Sequence, residues 1–478
     1  MPSAKHTDAH GLPPTVVVAA PASGTGKTVF TLGLIAALRA RGLMVACAKV
    51  GPDFIDPKFH ACAAGRPCHT LDPWAMTPAQ VRARAAACAT GADVLVIEGV
   101  MGLYDGAADG SGSTADLAQW LGAPVILCID AGRQGQSLAA TVHGFATFRP
   151  GLQFAGVVAC QTASPRHLAM ITAAMDPANN WPTPPPALLG GMARNPALAL
   201  ASRHLGLVQA AEVTTLSTLI DEARSAVATG LNLDSLLDSM TRPANTAHAK
   251  RGADAANLTE PPSPARFAPL GQRIAVATDV ACAFAYPHIL DDWRAAGAQI
   301  LPFSPLADNA PDAAADAVFL PGGYPELHAP ALASGATWQT GVRSAAARGA
   351  LIYGECGGFM LLGDALIDAA GTGHPMLGLL SHTTSFAAPK RTLGYRVLRH
   401  DQTVLPWPTN LRGHEFHYTS QSDAPRGTGY SNEAGKPAES PLFDATDAVG
   451  TQLGPIGARR GNVAGSYAHV ISPTAPPA

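Results

Sequence analysis

At 478 residues the chain exceeds the roughly 250–300 residues at which single cores stop growing, so two or more domains are expected. It is 47% hydrophobic and 14% charged, as soluble globular proteins are, and its net charge of −3 gives no general attraction to nucleic acid or to an anionic membrane. No stretch reaches the roughly 18–20 apolar residues of a membrane span, the opening "MPSAKHTDAHGLPP" has no apolar signal core, and the eight cysteines form no C-x-x-C pair, so a cytoplasmic protein without a disulfide framework or zinc site is expected. In chain order, "TVVVAA", "MVACAKV", "DVLVIEG", "PVILCID" and "FAGVVACQ" are continuously apolar, as strands buried on both faces of a parallel sheet are. Helix-spaced segments lie between them, such as "TLGLIAALRARG", which Gly42 is expected to stop. Residues 241–268 hold no aliphatic run and are rich in Pro, Ala and polar residues, which reads as a linker. The alternation then restarts with "RIAVATD", "ILDDWRAAGAQI", "ADAVFLPGG" and "ALIYGECGG", and predicts a second α/β domain.

"PASGTGKTVF" at residues 21–30 follows the first strand and precedes a helix, the setting of a phosphate-binding loop. Its backbone N–H groups and the helix N-terminus would favour phosphate, Lys27 would reach the terminal phosphates, and Thr28 would offer its hydroxyl to magnesium. Yet Pro21 stands where such a loop normally begins with glycine, which leaves open an ordinary glycine turn. Asp53 and Asp56 in "KVGPDFIDP", and Glu98 and Asp105 in "VLVIEGVMGLYDG", follow strands on the edge where α/β sheets bind ligands. A lone aspartate there is ordinarily a turn former; four carboxylates beside such a loop favour a magnesium or substrate site.

These stretches carry a resemblance. "APASGTGKT", "KVGPDFIDPKFH", "GRPCHTLDPWAM", "EGVMGLYDG" and "GSTADLAQWLGAPVILCIDA" resemble, in order, the N-terminal half of cobyrinate (or hydrogenobyrinate) a,c-diamide synthases, in the dethiobiotin-synthetase-like branch of P-loop proteins. That family lacks the first P-loop glycine, so the resemblance implies an ATP site formed by Gly24, Thr25, Gly26, Lys27 and Thr28. It further implies Asp53, Asp56, Glu98 and Asp105 as magnesium or substrate residues, with Thr28 and Glu98 as the metal pair.

In the second half, "ALIYGECGGFMLLGDAL" places Cys356 in G-x-C-x-G between a strand and a helix, the cysteine form of a nucleophile elbow. The dipole of the following helix would favour its thiolate. Gly322 and Gly323 of "VFLPGGYPELH", with Gly357, could supply N–H groups to an oxyanion. His469 in "GNVAGSYAHVISP" and His414 and His417 in "RGHEFHYTS" are candidate bases. H-E-F-H is one residue short of the zincin spacing. The order PGG, G-x-C-x-G, late histidine resembles class I glutamine amidotransferases of the cobyrinate branch. Their G-S-Y-x-H falls on Gly465, Ser466, Tyr467 and His469. The usual H-x-E ending is absent, since position 471 is Ile, which leaves open what orients His469.

The resemblance implies a two-domain α/β enzyme: a P-loop amidoligase over 15–240, a linker over 241–270, and a flavodoxin-like class I glutamine amidotransferase over 271–472. Its implied reaction is ATP- and glutamine-dependent amidation of the a and c acetates of cobyrinic or hydrogenobyrinic acid in cobalamin biosynthesis, through an acyl phosphate, with Mg2+ as cofactor. No nucleic acid or membrane partner is expected, and a homodimer is left open. Cobyric acid synthase joins the same domain types but words the loop after its second strand differently. A ParA- or MinD-like ATPase switch would leave Cys356 and His469 without a task.

Overall fold

In a computed structural model the described residues are 11–179, 181–200, 202–203, 206–241, 266–423 and 438–473. The chain forms two compact units that meet in sequence at Pro264 and Ala265. Most of the expected linker, 242–265, lies outside the described residues. Its far end is packed: Phe267 and Leu270 are buried, and Phe267 meets Trp407 edge to face, 5.1 Å between ring centroids. The second unit therefore starts before residue 271, because those two apolar side chains find a core there.

The first unit is built on a seven-stranded parallel sheet of β1 (Thr15–Ala19), β2 (Val45–Val50), β3 (Cys68–Leu71), β4 (Val94–Glu98), β5 (Val125–Asp130), β6 (Phe154–Thr162) and β7 (Leu188–Ala193). Its order is β3-β2-β4-β1-β5-β6-β7. The five apolar runs named above fall on β1, β2, β4, β5 and β6, and those strands are almost wholly buried. Helix α1 (Lys27–Ala40) leaves β1 through the glycine loop, with Gly24 at φ 79° and Gly26 at φ 93°, values that side-chain-bearing residues rarely adopt. Gly42, at φ 85°, ends α1: its N–H donates to Arg39 O and the next N–H, of Leu43, donates to Leu38 O. Helix α2 (Asp56–Ala64) follows β2. The register pairs Val18 of β1 and Lys49 of β2 with Glu98 of β4, so the sheet itself sets a lysine and a glutamate side by side at its ligand edge.

The second unit repeats this logic once and then departs from it. Strands β8 (Arg273–Ala277), β9 (Gln299–Phe303), β10 (Ala317–Leu320) and β11 (Leu351–Glu355) are parallel in the order β9-β8-β10-β11, the doubly wound arrangement expected for a flavodoxin-like sheet. After helix α3 (Gly357–Leu362) the chain turns to β structure. Strands β12 (Arg391–Arg399) and β13 (Asn410–Tyr418) form an antiparallel pair, β14 (Val463–Ser466) completes the parallel set beside β11, and β15 (His469–Pro473) pairs antiparallel with β13. The βα rhythm predicted for this half thus holds only up to Leu362. The remaining sheets position the late histidine.

Candidate active sites

In the first unit the P-loop faces a buried ionic cluster. Lys49 Nζ lies 2.8 Å from Asp56 Oδ2, 2.9 Å from Glu98 Oε1 and 3.6 Å from Asp53 Oδ2. Thr28 donates its hydroxyl to the same Glu98 oxygen at 2.9 Å, and to Asp56 at 3.3 Å. The other Glu98 oxygen bonds His60 Nε2, from α2. Burial alone would raise the Glu98 carboxyl, but Lys49 and His60 outweigh it and hold it well below its ordinary value. Burial alone would likewise lower the Lys49 ammonium, yet Asp56, Glu98 and Asp53 hold it well above. Asp53 is pushed up to about 6, by burial and then by its neighbour Asp56. It also accepts the Ile55 and Asp56 N–H groups, closing the turn that leads into α2. Lys27 Nζ donates to Met101 O at 2.7 Å, and its ammonium is lowered by burial and by Lys49.

The structure therefore brings together Lys27, Thr28, Asp53, Asp56 and Glu98. Asp105, expected among these carboxylates, is exposed and accepts the Gly102 N–H at 2.8 Å, the turn-forming role of a lone aspartate.

In the second unit Cys356 stands at φ 48°, ψ −108°, strained backbone for a residue with a side chain. The turn is possible because α3 packs its backbone on β10: a Cβ on Gly358 would run into Leu320 O. Cys356 N–H donates to Ser466 O at 2.8 Å, tying the elbow to β14. His469 lies within hydrogen-bond reach of Cys356. A Cβ on Gly322 would sit 3.1 Å from His469 Nε2 and 3.2 Å from Cys356 Cβ, so glycine there leaves the space between thiol and imidazole clear. One on Gly357 would lie 3.0 Å from Gly323 N, which places those two backbones together beside the thiol. Burial alone would lower the His469 imidazole, but Cys356 and Glu355 push it up to about 9. The two other candidate bases form the wall: His414 stacks on His469 with 5.1 Å between centroids, and His417 stacks on Tyr467 at 4.4 Å. Burial and the His469 charge lower both, His417 to about 4, so they are neutral at physiological pH.

Comparison with known proteins now adds the family. Residues 16–208 match the CobQ/CobB/MinD/ParA nucleotide binding domain, and residues 273–476 match the CobB/CobQ-like glutamine amidotransferase domain. The chain is 48% identical over 459 residues to a hydrogenobyrinate a,c-diamide synthase of Brucella suis, covering 95% of this chain and 98% of that one. The chain belongs to the hydrogenobyrinate a,c-diamide synthase family. Relatives of the same name are 46% identical in Rhizobium meliloti, over 95% of this chain and 98% of that one, and 44% identical in Rhodobacter capsulatus, over 96% and 99%.

For this member of the diamide synthase family, sequence reasoning passed over Lys49, His60 and Glu355. A lysine inside the apolar run "VACAKV" was the available signal, since a buried ammonium needs carboxylates around it. His60 sits on a helix whose face the sequence does not resolve. Glu355 ends a buried strand just as Glu98 does, the same cue that nominated Glu98.

Proposed function

We propose that the chain amidates the a and c acetate carboxylates of hydrogenobyrinic acid, with ATP and glutamine as cosubstrates, in the cytoplasm. The names of the relatives favour the cobalt-free acid over cobyrinic acid and over the substrate of cobyric acid synthase. The observation that carries this proposal is that one chain holds two sites of different chemistry: a P-loop facing buried carboxylates, and a strained cysteine beside an imidazole.

Residues 271–472 would release the nitrogen. The Cys356 thiolate attacks the side-chain amide carbon of glutamine, and the Gly323 and Gly357 N–H groups face the oxyanion that forms. His469 gives its proton to the leaving nitrogen, ammonia departs, and water cleaves the thioester to glutamate. Residues 15–240 would prime the acid. An acetate oxygen attacks the γ-phosphorus of ATP, ADP leaves, and ammonia then displaces phosphate from the acyl phosphate. Gly24, Thr25 and Gly26 would cradle the phosphates and Lys27 would neutralise them.

Magnesium suits this donor set. Among the described residues no three His, Cys, Asp or Glu converge as a cage, but Mg2+ at a phosphate site needs only one or two carboxylates, the remaining ligands being phosphates and water. Thr28 and Glu98 would hold it, with Asp56 alongside, and it would offset charge on the transferring phosphoryl group. An ATPase switch would use neither Cys356 nor His469. Cys356→Ser tests the division: amidation with glutamine is expected to vanish while amidation with ammonium salts survives. Loss of both would overturn it.

A further inference from the structure

The diamide synthase sequence leaves His469 without the acidic residue that usually stands two positions on, where this chain has the buried Ile471. A different carboxylate occupies the space behind the imidazole. Glu355, the last residue of β11, is 2% exposed and precedes the elbow cysteine. Its Oε1 accepts two hydrogen bonds, from Tyr353 OH at 3.0 Å and from the Val470 N–H at 3.2 Å. Those donors come from β11 and β15, so this oxygen is held from both strands. The second oxygen, Oε2, lies 3.6 Å from His469 Nδ1, an ion-pair separation just beyond hydrogen-bond length. The other ring nitrogen, Nε2, borders Gly322 and the thiol side of the site.

We propose that Glu355 is the positioning carboxylate of the cysteine–histidine pair, holding the His469 Nδ1 proton so that Nε2 serves Cys356. The third member of the triad is thus supplied by the residue before the nucleophile instead of the residue two after the base. The role follows from tautomer control. An imidazole whose Nδ1–H is bound to a carboxylate presents Nε2 to the nucleophile, and the carboxylate stabilises the imidazolium once the proton is taken. Glu355 acts through His469 and does not touch glutamine. The other titratable groups facing this imidazole are Cys356, His414 from β13 and, more distantly, His417, with Arg396 of β12 acting on those two histidines. The two histidines are held neutral, and Arg396 is paired with Glu415 at 2.6 Å, which leaves Glu355 as the anion behind the ring.

The inference rests on the glutaminase reading of Cys356, and the full chain tests the two separately. Glutamine hydrolysis is followed as glutamate release across pH for wild type, Glu355→Gln and Glu355→Asp. Gln keeps an acceptor for Tyr353 and Val470 but removes the charge. It is expected to lower kcat about 100-fold with little change in KM for glutamine. Without the carboxylate the imidazolium loses its proton earlier, so the alkaline limb of kcat/KM should fall by at least about one pH unit. Asp, which keeps the charge, should hold that limb near its wild-type position. Wild type that releases no glutamate overturns the glutaminase reading and this role with it. Active wild type with the Gln limb unmoved, or with Gln and Asp moving alike, overturns the role of Glu355 alone. Should neither variant fold, 15N-histidine NMR of the wild type above the His469 titration decides: a neutral ring protonated at Nδ1 is expected, and one protonated at Nε2 overturns the assignment.

Discussion

Lys49 and Glu98 show at residue scale why a cluster this buried is a commitment. Glu98 is fully buried, and three side chains on it each offset part of its desolvation: Lys49, Thr28 and His60. Glu98→Gln leaves the Lys49 ammonium buried with less compensation, and a loss of about 3–5 kcal/mol is expected in urea unfolding. The same groups set an acid branch. Because Glu98 is held below its ordinary value of 4.5, its contribution is complete above that pH and is lost as pH falls below it. Asp53 has the opposite sign: raised from 3.8 to about 6, it stabilises the fold most below 3.8 and loses that contribution as pH rises through about 6. Asp53 alone varies between about pH 6 and 4, where it favours the fold as pH falls, and Glu98 takes over below, so the wild-type urea midpoint should fall steeply only below about pH 4. Glu98→Gln should flatten that fall, and an unchanged slope would refute the assignment. Part of this was legible. Thr28, Asp53, Asp56 and Glu98 could be named because a loop and strand ends expose their chemistry in the sequence, whereas His60 needed α2 folded against β4 before its partner existed. Asp105 shows the converse, a carboxylate of the right type in the right loop whose oxygen is used by its own turn.

Elements were readable where burial is continuous and obscure where it is broken. β1, β2, β4, β5 and β6 announce themselves because both faces are covered, so their runs are almost wholly apolar, Lys49 near the end of β2 being an exception that its carboxylate partners explain. β3 has four residues, and β7, "LLGGMA", carries two glycines, so neither has a run long enough to stand out. Beyond α3 strands such as β12 and β13 pair antiparallel and have partly exposed faces, whose alternation is weaker than the βα rhythm before them. Helix α1 could be bounded by its caps, but not its packing. Gly33 faces Leu216–Gly230, a helix of the same unit, so closely that a Cβ would run into Ala223 O and lie 2.7 Å from Val227 Cγ2. Ala normally favours a helix over Gly by about 1 kcal/mol. Here overpacking of about 1–3 kcal/mol should exceed that gain, so Gly33→Ala should lower the urea midpoint. Because α1 begins with Lys27 and Thr28, the same displacement should raise KM for ATP. A more stable variant would show that the two helices can separate at little cost.

On the proposed reaction the two halves of the chain share only ammonia, and that asymmetry can be measured. Cys356 would then lie upstream of ammonia, so its loss should be bypassed when ammonia is supplied. Lys27 would lie downstream, since on that reaction the acid must be primed whichever source provides the nitrogen. Its side chain is 7% exposed, and the same loop holds Thr28 against Glu98 and Asp56. The charge on the transferring phosphoryl group grows where that ammonium would stand, and removing one such preorganised donor typically lowers a rate 10²–10³-fold. Lys27→Ala should therefore lower amide formation at least about 100-fold with glutamine and with ammonium salts alike. Cys356→Ser should lower it with glutamine only. The pair of variants separates a ligase fed by its own glutaminase from two activities that merely share a chain. In the second case ammonia-supported synthesis would survive Lys27→Ala, because acid activation would not depend on the phosphate loop. Product assays with both nitrogen sources, run on hydrogenobyrinic and cobyrinic acid in parallel, read that outcome and the choice of acid together.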